Sequence, residues 1–405
     1  MTTTRALPLP PASAASAPRK RAAFLLAAGS MGAMLASSGA LTPFYPTLES
    51  ELGISSLGIS LVFAVYAITL LAALLITGAL SDHVGRRPVV SIGFGILALS
   101  VVTVAFIDSA PALFAARALQ GAATGLLTPA LSALLIDSAP AEHARRSSLL
   151  NATTPTAGLA IGSLIGGIAI VLVTPALPVT FLTLAVIYAA VAAGVWLLPE
   201  TSARTPGAFR SLLPRVSVPQ PARRLFLISA PALAATWATG GLFLSLGPSI
   251  IIERLHSDNA LLEGAIVAML PASGVLAVVI LRRVSPRSVS LVGTISLAVG
   301  TALALAMLAA GSVLGYVVAV VITGIGFGSS FYGIIGSLAP KAPVHKRARL
   351  FAAVYVVSYL SFGLPAVAAG MLATATSLSI VSTAYGIVVA ALATVAAIAR
   401  ARSGE

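Results

Sequence analysis

A stripe of polar side chains interrupts the apolar stretch 111–137. Its members are Arg117, Gln120, Thr124 and Thr128. Steps of three and four residues place them on one face of a helix. Because an arginine keeps its charge at physiological pH, a buried one needs water or a partner. The stripe is therefore predicted to face a wet cavity. The alternative is a structural arginine that is bonded to backbone carbonyls.

Other side chains in the apolar stretches could line the same cavity. Aromatic rings would supply an amphipathic lining, and hydroxyl or amide groups would supply hydrogen bonds. The alternative for each of them is ordinary packing between helices. The candidates are Tyr66, Trp237, Phe327, Tyr332, Tyr355, Tyr359, Ser37, Ser38, Asn151 and Thr154.

The residues for several other kinds of chemistry are missing. The chain has no cysteine, which excludes disulfides, thiolate metal sites and cysteine nucleophiles. Its histidines, His83, His143, His256 and His345, lie in charged, loop-like segments without ligand spacing. No metal and no cofactor are therefore expected. No set of nucleophile and base converges either, so an enzyme is not expected.

The elements that must position the candidate residues are membrane-spanning helices. Of the 405 residues, 58% are hydrophobic and 9% are charged, whereas soluble domains carry roughly 25% charged residues. Strand alternation is absent, which argues against a β-barrel. The sequence predicts an all-α membrane protein with twelve spans of bilayer-crossing length. They are 22–44, 57–80, 89–107, 111–137, 147–173, 176–198, 225–252, 260–281, 287–310, 313–339, 349–373 and 376–399.

The positions of the charges predict the orientation. With a cytoplasmic N-terminus, 22 of the 24 cations fall in cytoplasmic segments, which leaves Arg254 outside and Arg117 within a span. This is a positive-inside pattern with both termini in the cytoplasm. Because the cations are spread over seven segments, no nucleic-acid partner is expected. Arginine-rich, alanine-rich composition suggests a bacterium, so the cytoplasmic membrane of a bacterium is the predicted location.

The chain divides into two halves of six spans. We predict a disordered tail 1–21, a bundle 22–198, a linker 199–224, a second bundle 225–399 and a tail 400–405. The halves match at an offset of 203 residues, although Ala-rich and Gly-rich sequence could match itself by chance. Paired six-helix repeats are typical of transporters with a solute site between the halves. The matches are Ala139-Pro140 with Ala342-Pro343, Gly121 with Gly324, Gly125 with Gly328 and Gly167 with Gly370.

A loop motif lies between the second and third spans. From Gly78 it reads GALSDHVGRRP, which includes Asp82, Gly85, Arg86 and Arg87. Glycines permit a sharp turn, Asp82 can accept hydrogen bonds, and the arginines offer forked donors to carboxylates. A plain cationic loop would explain the arginines alone. The motif closely resembles the loop signature of the major facilitator superfamily, which implies the fold of two six-helix bundles.

More of the chain resembles that family. From Arg117, RALQGAATG is similar to its second signature, whose arginine faces the central cavity and handles solute or protons. Asp137 lies where the family places an acid that pairs with the loop arginine, and Glu200 belongs to a typical end of the sixth span. The resemblance weakens in the second half, where Arg282 falls at the position that would repeat Asp82.

The fifth span carries a run of small residues. Gly158, Gly162, Gly166 and Gly167, with Ser163 among them, are similar to the antiporter signature of drug exporters in this superfamily. That signature has a proline where Ser163 stands. The alternative is close helix packing through small residues, which occurs in any membrane bundle.

The resemblance implies a secondary transporter that works by alternating access in the lipid bilayer. We expect a monomer that exports a drug-like compound or metabolite by proton antiport, with Asp82, Arg86 and Asp137 latching the cytoplasmic side. The first span has no acid, and Asp82, Asp137 and Glu263 all lie near span ends. An importer or uniporter of an anionic solute, with Arg117 as its partner, is one alternative. A receptor or regulator that does not transport is another.

Overall fold

The described part of the chain is helical. The computed structural model describes residues 17–139, 144–202, 204–257 and 259–403, and these ranges contain no strand. Twelve of the helices are long and apolar enough to cross a membrane. The predicted all-α architecture with twelve spans is therefore confirmed.

The N-terminal half contains six long helices and two short ones. The first long helix continues through a 3-10 turn, Thr42–Phe44, into a short helix, and another short helix follows the second span. The helices are α1 (Ala17–Leu41), α2 (Tyr45–Leu52), α3 (Ser56–Thr77), α4 (Leu80–Val84), α5 (Arg86–Ala105), α6 (Ala110–Asp137), α7 (Ala144–Leu172) and α8 (Ala176–Gly194).

The C-terminal half follows a linker with one short helix, α9 (Ala208–Ser211). Its first long helix is also followed by a short one. The helices are α10 (Gln220–Ser245), α11 (Gly247–Leu255), α12 (Ala260–Leu281), α13 (Pro286–Ala309), α14 (Val313–Leu338), α15 (Arg347–Ala375) and α16 (Leu378–Arg402). We call the end of the bundle with α4 and α9 the linker end, and the end with α2 and α11 the opposite end.

Several helices start at side chains that satisfy their first backbone N–H groups. Ser55, Ser285, Ser312 and Ser377 each accept a hydrogen bond from a backbone nitrogen three residues further along. Asn259 accepts from two such nitrogens. These residue types are preferred N-caps because their side-chain oxygen replaces the missing helical acceptor.

Three helices extend beyond the spans that hydropathy predicts. Residues 17–21 of the predicted tail belong to α1, residues 220–224 of the predicted linker belong to α10, and α16 reaches Arg402. The remaining tail, residues 1–16, lies outside the described residues. Hydropathy marks only the part of a helix that must avoid water, whereas hydrogen bonding continues the helix into cationic residues beyond it.

Both halves use glycines at equivalent crossings. In α6 and in α14, two glycines lie so close to a neighbouring helix that an added Cβ would clash with its backbone carbonyls. Glycine alone lets the helices approach this far. The contacts are Gly121 with Tyr66, Gly125 with Leu70, Gly324 with Leu270 and Gly328 with Gly274.

The two halves meet at a pair of related contacts. Gly167 of α7 packs against Gly264 of α12, and Gly370 of α15 packs against Ser60 of α3. Each contact joins one half to the other, and the two are counterparts under the repeat. Close packing of small residues thus joins the halves twice near the opposite end.

Hydrogen bonds at the opposite end also connect the halves. Thr42 Oγ1 donates to the backbone oxygen of Leu244 at 3.3 Å. Ser249 of α11 donates to Oε2 of Glu49 in α2 at 3.0 Å. The short helices therefore take part in closing this end.

Candidate functional site

The polar stripe gathers around Arg117, whose side chain is 0% exposed. Its Nη1 donates to Oε1 of Gln120 at 2.5 Å and to Oγ of Ser38 at 3.3 Å. Nε2 of Gln120 donates to Oγ of Ser37 at 2.8 Å. The structure thus brings together α6 residues and α1 serines that lie about 80 positions apart in the chain.

Aromatic rings from α3 cover the guanidinium. Its Cζ lies 4.2 Å from the ring centroid of Tyr66 and 5.9 Å from that of Phe63. A cation over a ring face is attracted by the ring quadrupole. Among the described residues, Nε and Nη2 of Arg117 have no hydrogen-bond partner. The rings therefore compensate part of the charge and leave donors unused.

Among the described residues, three other predicted ones make no hydrogen bond with the Arg117 guanidinium. The hydroxyl of Thr124 donates to the backbone oxygen of Gln120, and that of Thr128 donates to the backbone oxygen of Thr124, both at 2.7 Å. These bonds satisfy the hydroxyls within α6 itself. Asn151 is half-buried on α7 towards the linker end, and its Oδ1 is buried without a hydrogen-bond partner in the described residues.

An aromatic cluster lies in the C-terminal half. The ring of Trp237 on α10 is 4.8 Å from that of Tyr359, 5.4 Å from that of Phe331 and 5.5 Å from that of Phe362. Tyr355 stacks on Tyr359 at 6.1 Å. Mixed edge-to-face and stacked contacts of this kind fix ring positions. The cluster joins α10, α14 and α15.

The cluster reaches across to the N-terminal half. Phe63 of α3 lies 4.7 Å from Phe362 of α15, ring to ring. Phe327, half-buried like Trp237 and Tyr359, packs beside Gly240 of α10. The aromatic cluster and the Arg117 group therefore share one wall, which Phe63 and Tyr66 form.

Two members of the cluster were missing from the sequence prediction. Phe331 follows Phe327 by four residues, and Phe362 follows Tyr359 by three. Helical spacing puts each of them on the face of a residue that was already a candidate. That signal could have found both phenylalanines, although it does not reveal their contact with Trp237.

The loop motif forms a compact charged group at the linker end. Nη1 of Arg86 pairs with Oδ1 of Asp82 at 2.5 Å and donates to Oγ of Ser81 at 2.7 Å. Its Nε lies 3.2 Å from Oδ2 of Asp137, at the end of α6. The Nη1 side of the guanidinium therefore binds within the loop, and the Nε side binds α6. Arg86 holds these two elements together. The side chain of Asp82 remains 56% exposed.

Glycines shape the loop in different ways. Gly85 has φ 105° and ψ 153°, a conformation that L side chains rarely adopt. Gly78 is helical in conformation, with φ −54°. The sharp turn therefore falls at Gly85, directly before α5.

Glu200 has a capping role that the sequence interpretation missed. Its carboxylate accepts hydrogen bonds from the backbone nitrogens of Arg86 at 2.8 Å and Arg87 at 3.1 Å. It thereby caps α5 from a distant segment, where Gly85 offers no side-chain cap of its own. The signal was a helix start of Gly-Arg-Arg-Pro without a preceding Ser, Thr, Asp or Asn.

The start of the linker binds to the same loop. The Thr205 hydroxyl lies 3.0 Å from Nδ1 of His83, and Ser202 donates to the backbone oxygen of Asp82 at 3.2 Å. Arg87 donates to the backbone oxygen of Trp196 at 2.6 Å, with its Cζ 5.0 Å from the indole centroid. The loop, the end of α8 and the linker therefore form one unit of the N-terminal half.

The glycine run of the fifth span packs helices. An added Cβ on Gly158, Gly162 or Gly166 would clash with backbone atoms of α1. Ser163 donates to the backbone oxygen of Gly39 at 3.2 Å. Gly167 points instead at α12 of the other half. Three of the four glycines thus fix α1 against α7, and the last lies at the contact between the halves.

Known proteins are similar to this chain in sequence and in fold. A profile of the Major Facilitator Superfamily matches residues 25–366. The multidrug resistance protein MdtL of Klebsiella pneumoniae is 25% identical over 310 residues, 74% of this chain and 77% of that protein. Among solved structures, the nucleoside transporter NupG has a TM-score of 0.68 at 14% identity, and the match covers 95% of this chain and 100% of that one. This last likeness is one of fold.

Other curated relatives match over shorter stretches. The cephamycin export protein CmcT of Amycolatopsis lactamdurans is 32% identical over 130 residues, 32% of this chain and 26% of that protein. The multidrug efflux pump LfrA of Mycolicibacterium smegmatis is 36% identical over 104 residues, 25% of this chain and 21% of that protein. The matched stretch therefore spans about a quarter of the length of each of these two relatives. Because the family profile covers most of the chain, this multi-pass membrane protein belongs to the Major Facilitator Superfamily of transporters.

Proposed function

We propose that this transporter exports a small organic solute from the cytoplasm by alternating access, driven by proton antiport. The observation that supports this proposal is that the bundle is closed at the opposite end. There the two halves are in contact through Gly167 and Gly264, and through Glu49 and Ser249. The cations of the linker end favour a cytoplasmic location for that end. In this state the solute would reach the cavity from the cytoplasm.

The cavity wall suits an amphipathic, aromatic solute. Half-buried rings of Trp237, Tyr355 and Tyr359 offer apolar faces, and the indole nitrogen of Trp237 has no hydrogen-bond partner among the described residues. Apolar linings with a few polar groups are typical of small-molecule sites. Relatives named for cephamycin export and multidrug efflux support the same substrate range.

The predicted latch around Arg86 would act inside the N-terminal half, where it holds the loop to α6 during the transport cycle. Its contacts with Asp82 and Asp137 lie within the N-terminal half. It therefore moves as a unit with that half when the halves rock. The protein would work as a monomer in the cytoplasmic membrane of a bacterium, with both termini in the cytoplasm.

Transport into proteoliposomes tests this function. With an interior more acidic than the bath, antiport drives a solute such as ethidium or fluorescein inwards against its own gradient while protons leave. The expected result is accumulation that a protonophore abolishes. Uptake that only equilibrates and ignores the pH difference would instead favour the uniport alternative. Absence of uptake by correctly folded protein across a panel of neutral, cationic and anionic dyes would argue against drug-like export.

A further inference from the structure

Arg117 and Tyr45 both carry buried hydrogen-bond donors that are not used. Nε and Nη2 of Arg117 and the hydroxyl of Tyr45 are buried, and none has a hydrogen-bond partner in the described residues. Both side chains are almost completely buried, with 0% and 1% of their surface exposed. The guanidinium also acts electrostatically on Tyr45. Buried donors normally have acceptors, so this group requires one.

The same place lacks a negative charge. A guanidinium cannot release its proton, and a buried charge is costly unless an opposite charge neutralises it. Arg86 forms ion pairs with Asp82 and Asp137, and Arg117 takes part in neither of them. Glu49, on α2, accepts a hydrogen bond from Ser249 instead. The ring of Tyr66 compensates only part of the charge of Arg117.

We propose that the unused donors of Arg117 and Tyr45 bind a small anion. Nε–H and Nη2–H of a guanidinium lie side by side, which suits one oxyanion or halide, and the phenol O–H supplies a third donor. A water molecule would fill the hydrogen bonds but leave the charge uncompensated. The ligand class is therefore a monovalent anion, either a free halide ion or the carboxylate of a solute.

The site is closed in the present conformation and opens with the opposite end. Tyr66 covers Arg117 and is itself 3% exposed. Tyr45 lies three residues after Thr42, whose hydroxyl donates a hydrogen bond to the backbone oxygen of Leu244 in the other half. Separation of the halves at that end uncovers the site from the outside. This inference goes beyond the proposed export, because the site would bind its anion whichever way the solute moves.

Thermal unfolding of the full-length protein in neutral detergent tests the site without any transport. The sodium salts of chloride, bromide, formate and acetate are compared with gluconate at constant ionic strength. Binding to the folded state alone raises the unfolding temperature, and above Kd the rise grows with the logarithm of the ligand concentration. We expect such a rise with halide or with small carboxylate and none with gluconate. A rise with halide identifies a free inorganic anion, and a rise with carboxylate alone identifies the solute group.

Two variants and one matched control assign the effect. Arg117→Gln removes the charge and should abolish the anion-dependent rise. Tyr45→Phe keeps the ring, removes one donor and should weaken the apparent affinity about tenfold. Arg254→Gln changes a cation at the same end that is bonded to Ser379, and it should keep the full rise. Equal unfolding temperatures in all salts would overturn the proposal, as would an unchanged rise in both Arg117→Gln and Tyr45→Phe.

Discussion

Several single side chains in this protein form hydrogen bonds with the backbone of a helix that is distant in the chain. Glu200 gives α5 its cap, and Tyr188 of α8 donates to the backbone oxygen of Ala33 in α1 at 2.7 Å. In the other half, Tyr385 of α16 donates to the backbone oxygen of Ala238 in α10 at 2.8 Å. Each bond connects a backbone group of one helix to a side chain from another segment. Such residues determine helix positions without touching a solute.

Replacement of Glu200 measures the value of the cap. A glutamine can accept at one oxygen, but its amide would face the second N–H donor. Glu200→Gln should therefore lower the free energy of unfolding by about 1–2 kcal/mol. Thermal unfolding in detergent measures the change, with Glu51→Gln as a control because Glu51 is an exposed acid at the opposite end. Equal destabilisation by the two variants would contradict a specific role of Glu200.

At the scale of helices, α1 and α7 pack through direct contact of their backbones rather than through large side chains. The α1–α7 crossing has Gly158 against Gly32 and Gly162 against Ala36. The hydrophobic effect does not drive association inside a membrane, so dense packing and buried polar contacts must hold the helices together. The crossing thus depends on the absence of side-chain atoms at a few positions.

An added methyl group at that crossing should be costly. Gly158→Ala would place its Cβ against the backbone oxygen of Gly32, which forces α1 and α7 apart. Overpacking of this kind costs roughly 1–3 kcal/mol. Gly95→Ala is the matched control, since nothing lies within 4 Å of its added Cβ. In thermal unfolding, Gly158→Ala should lose stability and Gly95→Ala should not. A reversed order would refute this account.

The sequence revealed helices and faces more readily than contacts. Hydropathy located all twelve spans, and helical spacing placed Arg117 and Gln120 on one face, because both signals are local. The bond from Gln120 to Ser37 and the cap from Glu200 join segments that lie far apart in the chain. Such pairs depend on how helices pack, which no single span encodes.

At the scale of the whole molecule, the repeat gives the transporter two equivalent places of contact. Gly167 with Gly264 and Gly370 with Ser60 are related by the exchange of halves. In the proposed mechanism, rocking of one half against the other would break both sets together. The short helices α2 and α11 add the bond between Glu49 and Ser249. Closure of the opposite end is thus distributed over several small contacts.

A reversible cross-link at this end should stop the cycle. The chain has no cysteine of its own, so Glu49→Cys with Ser249→Cys offers the only thiols. A short bis-methanethiosulfonate reagent should block transport almost completely, and dithiothreitol should restore it. Each single variant, treated in the same way, is the control. Continued transport by the cross-linked protein would show that the opposite end does not open.

The two tryptophans give the molecule natural optical reporters at its two mechanical regions. Trp196 lies beneath the guanidinium of Arg87 beside the loop, and Trp237 lies within the aromatic cluster. They are the only indoles in the chain. Replacement of one by phenylalanine leaves a single emitter, whose spectrum follows one region alone. The proposed movement of the loop and the proposed binding of a solute at the cluster would therefore be timed separately in the same protein, without any attached dye.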